Sequence, residues 1–230
     1  MTGVIVKNKD VVVPGEVLCE DMGFLPGQGT YRQGERIYAE RLGLANVDGR
    51  MIKIIPLSGK YMPKRDDVII CKVIDITLNG WRLDTNSAYS AMLGLKEASS
   101  DFIERGADLT QIYGIGDYAM CQVINVTSQK LVDVSMRGPG LRKLKGGRII
   151  EVNPFKVPRI IGKQGSMISM VKQELNCNIL VGQNGLVWIY GEPLNERKAI
   201  EAIRKIEQES HISGLTERMK EFLQKNGVKP

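Results

Sequence analysis

Two glycines three positions apart, Gly162 and Gly165, enclose Lys163 and Gln164 in a stretch whose residue types suit phosphate binding. Because glycine has no Cβ, a phosphate backbone can come close to the main chain there. An amphipathic helix is predicted to begin at Ser166 as its N-cap, and a helix N-terminus offers unpaired N–H groups to an anion. The lysine adds a mobile positive charge. The alternative is that this loop only joins two packed helices.

Positive charge is concentrated around this loop. Residues 136–172 contain nine Lys/Arg and a single acidic residue, Glu151, a net charge of +8, whereas the whole chain carries +6. The remainder is therefore slightly acidic, and such a local basic block is typical of nucleic-acid binding. We predict phosphate contacts from five basic residues of this region: Arg142, Lys143, Lys145, Arg159 and Lys163.

Catalytic patterns are missing from the sequence. His211 is the only histidine, so a catalytic triad or a histidine metal cluster would depend on one residue. There is no nucleotide-binding or zinc-protease motif, and no tight Asp/Glu cluster suggests a two-metal nuclease. We expect no enzymatic activity, no metal and no cofactor.

The cysteines and the apolar runs indicate in which cellular compartment the protein is expected. Four cysteines lie far apart in strand-like runs, without the spacing of a zinc site or a disulfide framework, which indicates buried thiols in a reducing interior. No apolar run approaches the roughly 20 residues of a membrane span, and the first residues lack a signal-peptide pattern. We expect a cytoplasmic protein with no membrane partner.

The elements around the loop follow a recognisable order. Arg148–Val152 is predicted as a strand before it, and a hairpin of Cys177–Val181 and Leu186–Tyr190 follows, turning at Gly182-Gln-Asn-Gly185. A last helix from about Asn195 carries apolar residues on one face. This β-α-Gly-x-x-Gly-α-β-β-α order resembles the type I, eukaryotic-type KH domain, which binds single-stranded nucleic acid.

A second unit precedes it. Asp67–Ile76, Trp81–Asp84, Ser87–Leu93, Tyr118–Val126 and Leu131–Met136 are predicted strands, with an insert at Leu95–Ile115 between the third and fourth. Five strands in this arrangement resemble an OB barrel of the ribosomal S-one type. The insert is acidic, which does not favour contact with RNA.

The barrel resemblance implies further RNA-binding residues. In such barrels aromatic side chains of the second and third strands stack on bases, and nearby cations follow the backbone. Trp81, Arg82 and Tyr89 occupy matching places, and Lys72 is a further candidate. The alternative for either aromatic ring is that it fills the barrel core.

The chain is thus predicted to be a multidomain, β-rich α+β protein. We predict a small N-terminal β domain over residues 1–60, the five-stranded barrel over 61–137, a basic linker over 138–145, the KH domain over 146–212, and a C-terminal helix and tail over 213–230. In the first domain, Val11–Val13, Glu16–Cys19, Glu35–Arg41 and Met51–Pro56 are the predicted strands, and Gly27–Thr30 is a predicted turn.

This order of domains is similar to that of the RNA-binding cap subunit of the archaeal exosome, the ribosomal-RNA-processing protein four family. Three stretches carry the resemblance: Gly27-Gln-Gly-Thr-Tyr31 with Ile37-Tyr-Ala39, the barrel, and Ile161-Gly-Lys-Gln-Gly-Ser-Met-Ile168. It implies three copies capping a hexameric phosphorolytic ring, with the N-terminal domain docked on the ring and single-stranded RNA led to a central pore. The alternative is a free-standing RNA-binding transcription or translation factor of the Nus type, although those factors have two KH units.

Overall fold

The computed structural model describes residues 3–99, 103, 106–210, 212 and 214–226. The chain divides into two compact units, Met1–Gly59 and Lys60–Pro230. The second unit contains both the barrel and the KH domain. In the described part of the chain, no helix is long and apolar enough to cross a bilayer. All four cysteines are free and buried, as the sequence predicts.

The first unit consists of strands alone, in two small sheets. One sheet has the order β1-β6-β7-β3 and the other the order β2-β5-β4. The strands are β1 Val11–Val12, β2 Val17–Cys19, β3 Leu25–Pro26, β4 Thr30–Gln33, β5 Arg36–Ala39, β6 Gly43–Asp48 and β7 Met51–Pro56. Leu18, Ile37 and Ile52 lie fully buried between the sheets.

Three of these strands were missed from the sequence, namely β3, β4 and β6. The β6 strand begins at Gly43 and contains an asparagine, so it has little intrinsic β-propensity. Pairing with β7 stabilises it instead, and a Cβ at Gly43 would lie 2.2 Å from the side chain of Ile54. Gly27–Thr30 forms the predicted turn, in which the N–H of Thr30 donates to the carbonyl of Gly27.

The barrel is closed. Its strands are β8 Val68–Thr77, β9 Gly80–Asp84, β10 Ser90–Gly94, β11 Tyr118–Val126 and β12 Val132–Ser135. They run in the order β12-β10-β9-β8-β11, and antiparallel pairing of β11 with β12 completes the circle. Closure leaves no open edge among these five strands. The insert contains the short helix α1 Leu95–Ala98 and a 3-10 turn at Leu109–Gln111, and its residues 100–102, 104 and 105 lie outside the described part.

The predicted linker is partly a strand. Arg142–Leu144 forms β13, which pairs antiparallel with β11 and adds a sixth strand beside the barrel. The sequence of this segment, Arg-Lys-Leu, has no apolar alternation that would predict a strand. Its strand conformation comes from hydrogen-bonded pairing with β11.

The KH domain has the predicted order. Its elements are β14 Arg148–Glu151, α2 Val157–Ile161, α3 Ser166–Leu175, β15 Asn178–Val181, β16 Leu186–Tyr190 and α4 Pro193–Glu209. The antiparallel sheet has the order β14-β16-β15, and the helices bury Ile160, Val171 and Ile203 against one of its faces. The final helix, α5 Leu215–Asn226, places Met219 and Leu223 in the same core, so it is part of this domain.

The turn between β15 and β16 fastens the KH domain to the barrel. Asn184 is fully buried, and its Nδ2 donates to the carbonyls of Ile70 (2.7 Å) and Thr85 (2.8 Å) while its Oδ1 accepts from the N–H of Ile70 (3.3 Å). Beside it, Ile70, Leu144 and Trp188 form a small apolar cluster of their own. Buried polar groups that are fully satisfied fix one geometry, so this junction holds the two domains in a defined arrangement.

Candidate nucleic-acid interface

The Gly-x-x-Gly loop has a backbone that requires its glycines. Gly162 ends α2 at φ 77°, and Gly165 precedes α3 at φ 78°. A Cβ at Gly162 would lie 2.8 Å from the backbone nitrogen of Met167, so no other residue fits there. Ser166 is the first residue of α3 rather than its N-cap; Gly165 takes the cap position, with no side-chain hydrogen bond. The first N–H groups of α3 are therefore not occupied by a capping side chain.

The side chains of this loop project into solvent. Lys163 and Gln164 are exposed, as is Arg159 on α2. Gln164 itself adopts a left-handed backbone, φ 53° and ψ 29°, which lifts it out of the helical path between the two glycines. Among the residues that the structure describes, neither Arg159 nor Lys163 is ion-paired with a carboxylate. Both charges are thus available to an anion.

On the barrel, Trp81 does not fulfil the expectation that it stacks on a base. The side chain is 0 % exposed, its Nε1 donates to the carbonyl of Tyr113 (3.0 Å), and the two rings meet edge to face at 5.2 Å. The period of two along β9 explains this, since it turns Trp81 and Leu83 inward and Arg82 outward. Tyr89 is half-buried and packs against the same core. The alternative left open by the sequence, that the ring fills the core, is therefore the correct one for Trp81.

The two barrel cations are exposed but differ in their surroundings. Arg82 forms an ion pair with Asp75 at 3.1 Å, which occupies part of its charge. Lys72 has no acidic partner in the described part of the chain, and its Nζ lies 5.8 Å from the centroid of the Tyr118 ring. Contacts of this kind leave the ammonium accessible.

The basic residues of β13 point in opposite directions. Arg142 and Leu144 face the KH domain, where the guanidinium lies 5.9 Å from the centroid of the Trp188 ring. Lys143 instead turns toward the insert, where it forms an ion pair with Asp117 and donates to the carbonyl of Ile112 at 3.2 Å. This pairing contradicts the expectation that Lys143 is a free phosphate ligand. Lys145, just beyond the strand, is exposed.

The pKa of Asp117 reflects this pairing. Partial burial acts to raise the pKa of its carboxyl, but hydrogen bonds from Lys143 and from the N–H of Gly114 outweigh burial and hold the pKa below its ordinary value. Lys143 is therefore held in place by its ion pair with Asp117 as well as by its hydrogen bond to the carbonyl of Ile112.

Three residues at the junction were not predicted as site residues. Tyr190 is 48 % exposed, with its ring parallel to that of Trp188 (2° between planes, 5.7 Å between centroids). The pKa of Lys172 on α3 lies below its ordinary value, first because the side chain is partly buried and then because of the charge of Arg142. The alternation in β16 could have identified the aromatic pair, because Trp188 and Tyr190 share the sheet face opposite Val187 and Ile189. The contact of this aromatic pair with Arg142 could not be predicted, because β13, which carries Arg142, was not predicted as a strand.

The described residues hold no group of three or more His, Cys, Asp or Glu side chains that could bind a metal ion. His211 lies outside the described residues. The exposed cations and aromatic rings of the second unit are of the kinds that suit a polyanion with unpaired bases.

Known proteins match both ends of the chain. Residues 9–58 match the family model of the exosome RNA binding protein RRP4 N-terminal domain, and residues 147–195 match that of the KH domain. The chain is 44% identical over 227 residues to the exosome complex component Rrp4 of Methanothermobacter thermautotrophicus, covering 98% of this chain and 72% of the relative. It is 42% identical to the Rrp4 of Methanothermus fervidus, covering 95% and 96%.

A solved structure is similar along much of the chain. A crystal structure described as a candidate exosome complex RNA-binding protein superposes with a TM-score of 0.66 at 29% identity, covering 73% of this chain and 97% of that one. This likeness agrees with the order of N-terminal domain, closed barrel and KH domain found here.

Proposed function

Because the chain belongs to the Rrp4 family of archaeal exosome components, we propose that it is a non-catalytic RNA-binding subunit that caps a phosphorolytic ring. In this proposal three copies sit on a hexameric ring, capture single-stranded RNA and lead it to the central pore for degradation and processing from the 3′ end. A cytoplasmic location stays a prediction.

One observation carries the RNA-binding part of this proposal. The Gly-x-x-Gly loop leaves Arg159 and Lys163 exposed and without a carboxylate partner in the described ranges, directly at the N-terminus of α3. A helix N-terminus and two free cations attract phosphate without reading base edges. RNA should therefore be held with little sequence preference, as a subunit that receives many different transcripts requires.

The first unit supports the docking part of the proposal. Val11, Leu44 and Ile55 follow one another across β1, β6 and β7, and the flanking Val11 and Ile55 are exposed. On the same sheet the exposed Leu25 lies beside the exposed Met51. The two apolar groups lie on one face of the sheet, on either side of the cross-strand pair Asn46 and Lys53. Exposed apolar residues gathered on one face are typical of protein interfaces. We assign this face, called here the apolar sheet face (Val11, Leu25, Leu44, Met51 and Ile55), to the ring.

The Nus-type alternative has less support. It calls for two KH units, whereas the described residues form one, and the relatives that match nearly the whole chain are named as exosome components. The same family membership supports the non-catalytic part of the proposal, since the matching relatives are named as exosome components and the matching N-terminal model as that of an RNA binding protein.

The test uses the purified chain and a fluorescent single-stranded RNA. We expect weak binding whose affinity falls steeply with salt, with a slope of about −0.7 per phosphate contacted. We also expect no shortening of the RNA in the presence of phosphate and Mg²⁺. An affinity that does not change with salt would refute the electrostatic basis of the proposal. Phosphate-dependent shortening that persists after any ring subunits are removed would refute non-catalysis.

A further inference from the structure

In the part of the chain that the structure describes, two cations at the junction between barrel and KH domain form no ion pair with an acidic group. On the outer face of the barrel, Ile70, Met120 and Arg142 form one cross-strand row. The apolar end of this row is covered by the KH sheet, with Ile70 fully buried, while Arg142 at the other end is exposed. Arg142 thus lies at the rim of the junction, above the Trp188 ring.

The KH domain contributes a second cation to this rim. Partial burial lowers the pKa of Lys172 below its ordinary value, and the nearby charge of Arg142 lowers it further. In the part of the chain that the structure describes, no carboxylate lies within ion-pair distance of either side chain. Two like charges held together in this way repel each other, and a bound anion relieves that repulsion.

An aromatic surface lies beside Arg142, whose guanidinium is 5.9 Å from the centroid of the Trp188 ring. The Trp188 ring is almost fully buried and anchored by a hydrogen bond from its Nε1 to the carbonyl of Gly146 (2.8 Å). The Tyr190 ring lies parallel to it and keeps nearly half of its surface exposed. A ring that is held in a fixed orientation loses little entropy when a base stacks on it.

We propose that Arg142, Lys172 and Tyr190 form a nucleotide-binding site at the barrel–KH junction. The two cations hold a phosphate of single-stranded RNA, and the Tyr190 ring stacks on an adjacent base. The inference rests on the proposed function and adds to it a site distinct from the Gly-x-x-Gly loop, built from two domains. The buried hydrogen bonds of Asn184 fix the domains and so preorganise the site.

The test measures binding of a single-stranded oligoribonucleotide to the full chain. Arg142→Ala with Lys172→Ala should weaken binding and make the salt slope shallower by about 0.7 for a lost phosphate contact. The matched control, Lys96→Ala with Lys220→Ala, removes the same charge from two exposed residues away from the junction and should change neither quantity. Melting curves verify that each variant is folded.

Tyr190 is tested separately. Tyr190→Ala should reduce affinity about tenfold, the loss of one stacked base, whereas Tyr190→Phe keeps the ring and should retain the affinity. RNA containing 4-thiouridine should crosslink to Tyr190 on irradiation. These variants leave charge unchanged, so they report on stacking alone.

The outcomes separate this inference from the proposed function. If the wild-type chain binds RNA and the junction variants bind as well as the control does, the junction site is wrong while the proposed function stands. If they keep their RNA affinity but no longer associate with the ring, the junction is a protein-docking surface and the inference is overturned. If the wild-type chain does not bind RNA at all, both fail.

Discussion

Lys163 and Gln164 stand at the tip of the Gly-x-x-Gly loop, where both side chains are exposed and form no hydrogen bond to the residues that the structure describes. Changing both to Asp places two carboxylates where phosphate would bind, so RNA affinity should fall about tenfold through charge repulsion. The fold should persist, because carboxylates at a helix N-terminus suit its dipole. Fluorescence anisotropy with a labelled RNA measures the first effect and thermal melting the second.

A matched control for this change lies on α5. Lys220 and Gln224 are also exposed, and changing both to Asp alters the net charge by the same amount. This control should reduce affinity only slightly. Equal losses in the two double variants would mean that net charge alone, and not the loop, determines binding.

Lys143 and Lys145 are neighbours in sequence with different expected roles. Since the Lys143 ion pair depresses the pKa of Asp117, the pair stabilises the fold above the ordinary Asp pKa of about 3.9, and this stabilisation is lost as the pH falls through the lower folded-state value. Lys143→Met should therefore lower stability at neutral pH and make the loss of stability toward acid shallower. Urea unfolding across a pH series measures both.

Lys145→Met provides the comparison for Lys143. Lys145 is exposed and forms no ion pair within the described ranges, and its charge is the smallest of the influences that lower the pKa of Asp117. Its loss should therefore change the pH dependence of stability much less than Lys143→Met does, and should weaken RNA binding instead. If the two variants showed the same stability profile, the structural role assigned to Lys143 would be wrong.

Asn184 is the residue on which the junction depends most. Asn184→Ala removes three hydrogen bonds and leaves buried backbone groups of Ile70 and Thr85 without partners, which should cost about 2–4 kcal/mol of unfolding free energy. Gln183→Ala, at an exposed position with one side-chain bond to Val68, should cost about 1 kcal/mol or less. Chemical denaturation distinguishes the two, and equal losses would contradict the central role of Asn184.

At the scale of elements, a helix or strand can be predicted where its own residues show an apolar period, but not where only its neighbours in the fold stabilise it. The barrel and KH elements were predictable because apolar periodicity and turn residues mark them clearly. The inward direction of Trp81 follows from its place beside Leu83 on β9, but a barrel likeness alone suggested the opposite. The strand β13 was not predictable, since only its partner β11 stabilises it.

The two Gly-x-x-Gly segments show the same limit. The first, residues 162–165, precedes a helix and exposes Lys163 and Gln164, whereas the second, residues 182–185, is a hairpin turn whose glycines and Asn184 are buried. A Cβ at Gly182 would lie 2.7 Å from the backbone nitrogen of Ile70, so this second segment is structural. The four-residue pattern alone does not tell whether such a segment is exposed to solvent or packed against another domain. The fold is needed to distinguish the two segments.

The apolar sheet face can be tested as an element. Ile55→Asp and Val11→Asp place charges on the two strands that flank β6 on this face, and a buried charge without a partner strongly disfavours an interface. We expect each variant to lose association with the ring while retaining RNA affinity, measured by native mass spectrometry after mixing. The exposed Glu35→Ala variant, outside the β1-β6-β7-β3 sheet that carries this face, serves as the control and should assemble normally. Normal assembly of both Asp variants would show that the ring docks elsewhere.

At the scale of the whole molecule, the central claim is that one unit docks on the ring and the other binds RNA. The first unit offers the apolar sheet face, and the second offers exposed cations and rings. A weak RNA site beside a pore makes later entry intramolecular and so raises the effective concentration of the RNA end. Neither unit needs its own catalytic group for this to speed degradation.

The most direct test is the rate at which a matching phosphorolytic ring degrades single-stranded RNA, measured with and without this chain at RNA concentrations below saturation. We expect faster degradation with the chain present, no degradation by the chain alone, and loss of most of the acceleration when Lys163 and Gln164 are Asp. Saturating RNA should abolish the difference, since tethering acts on capture. An unchanged rate despite stable association of chain and ring would contradict the account.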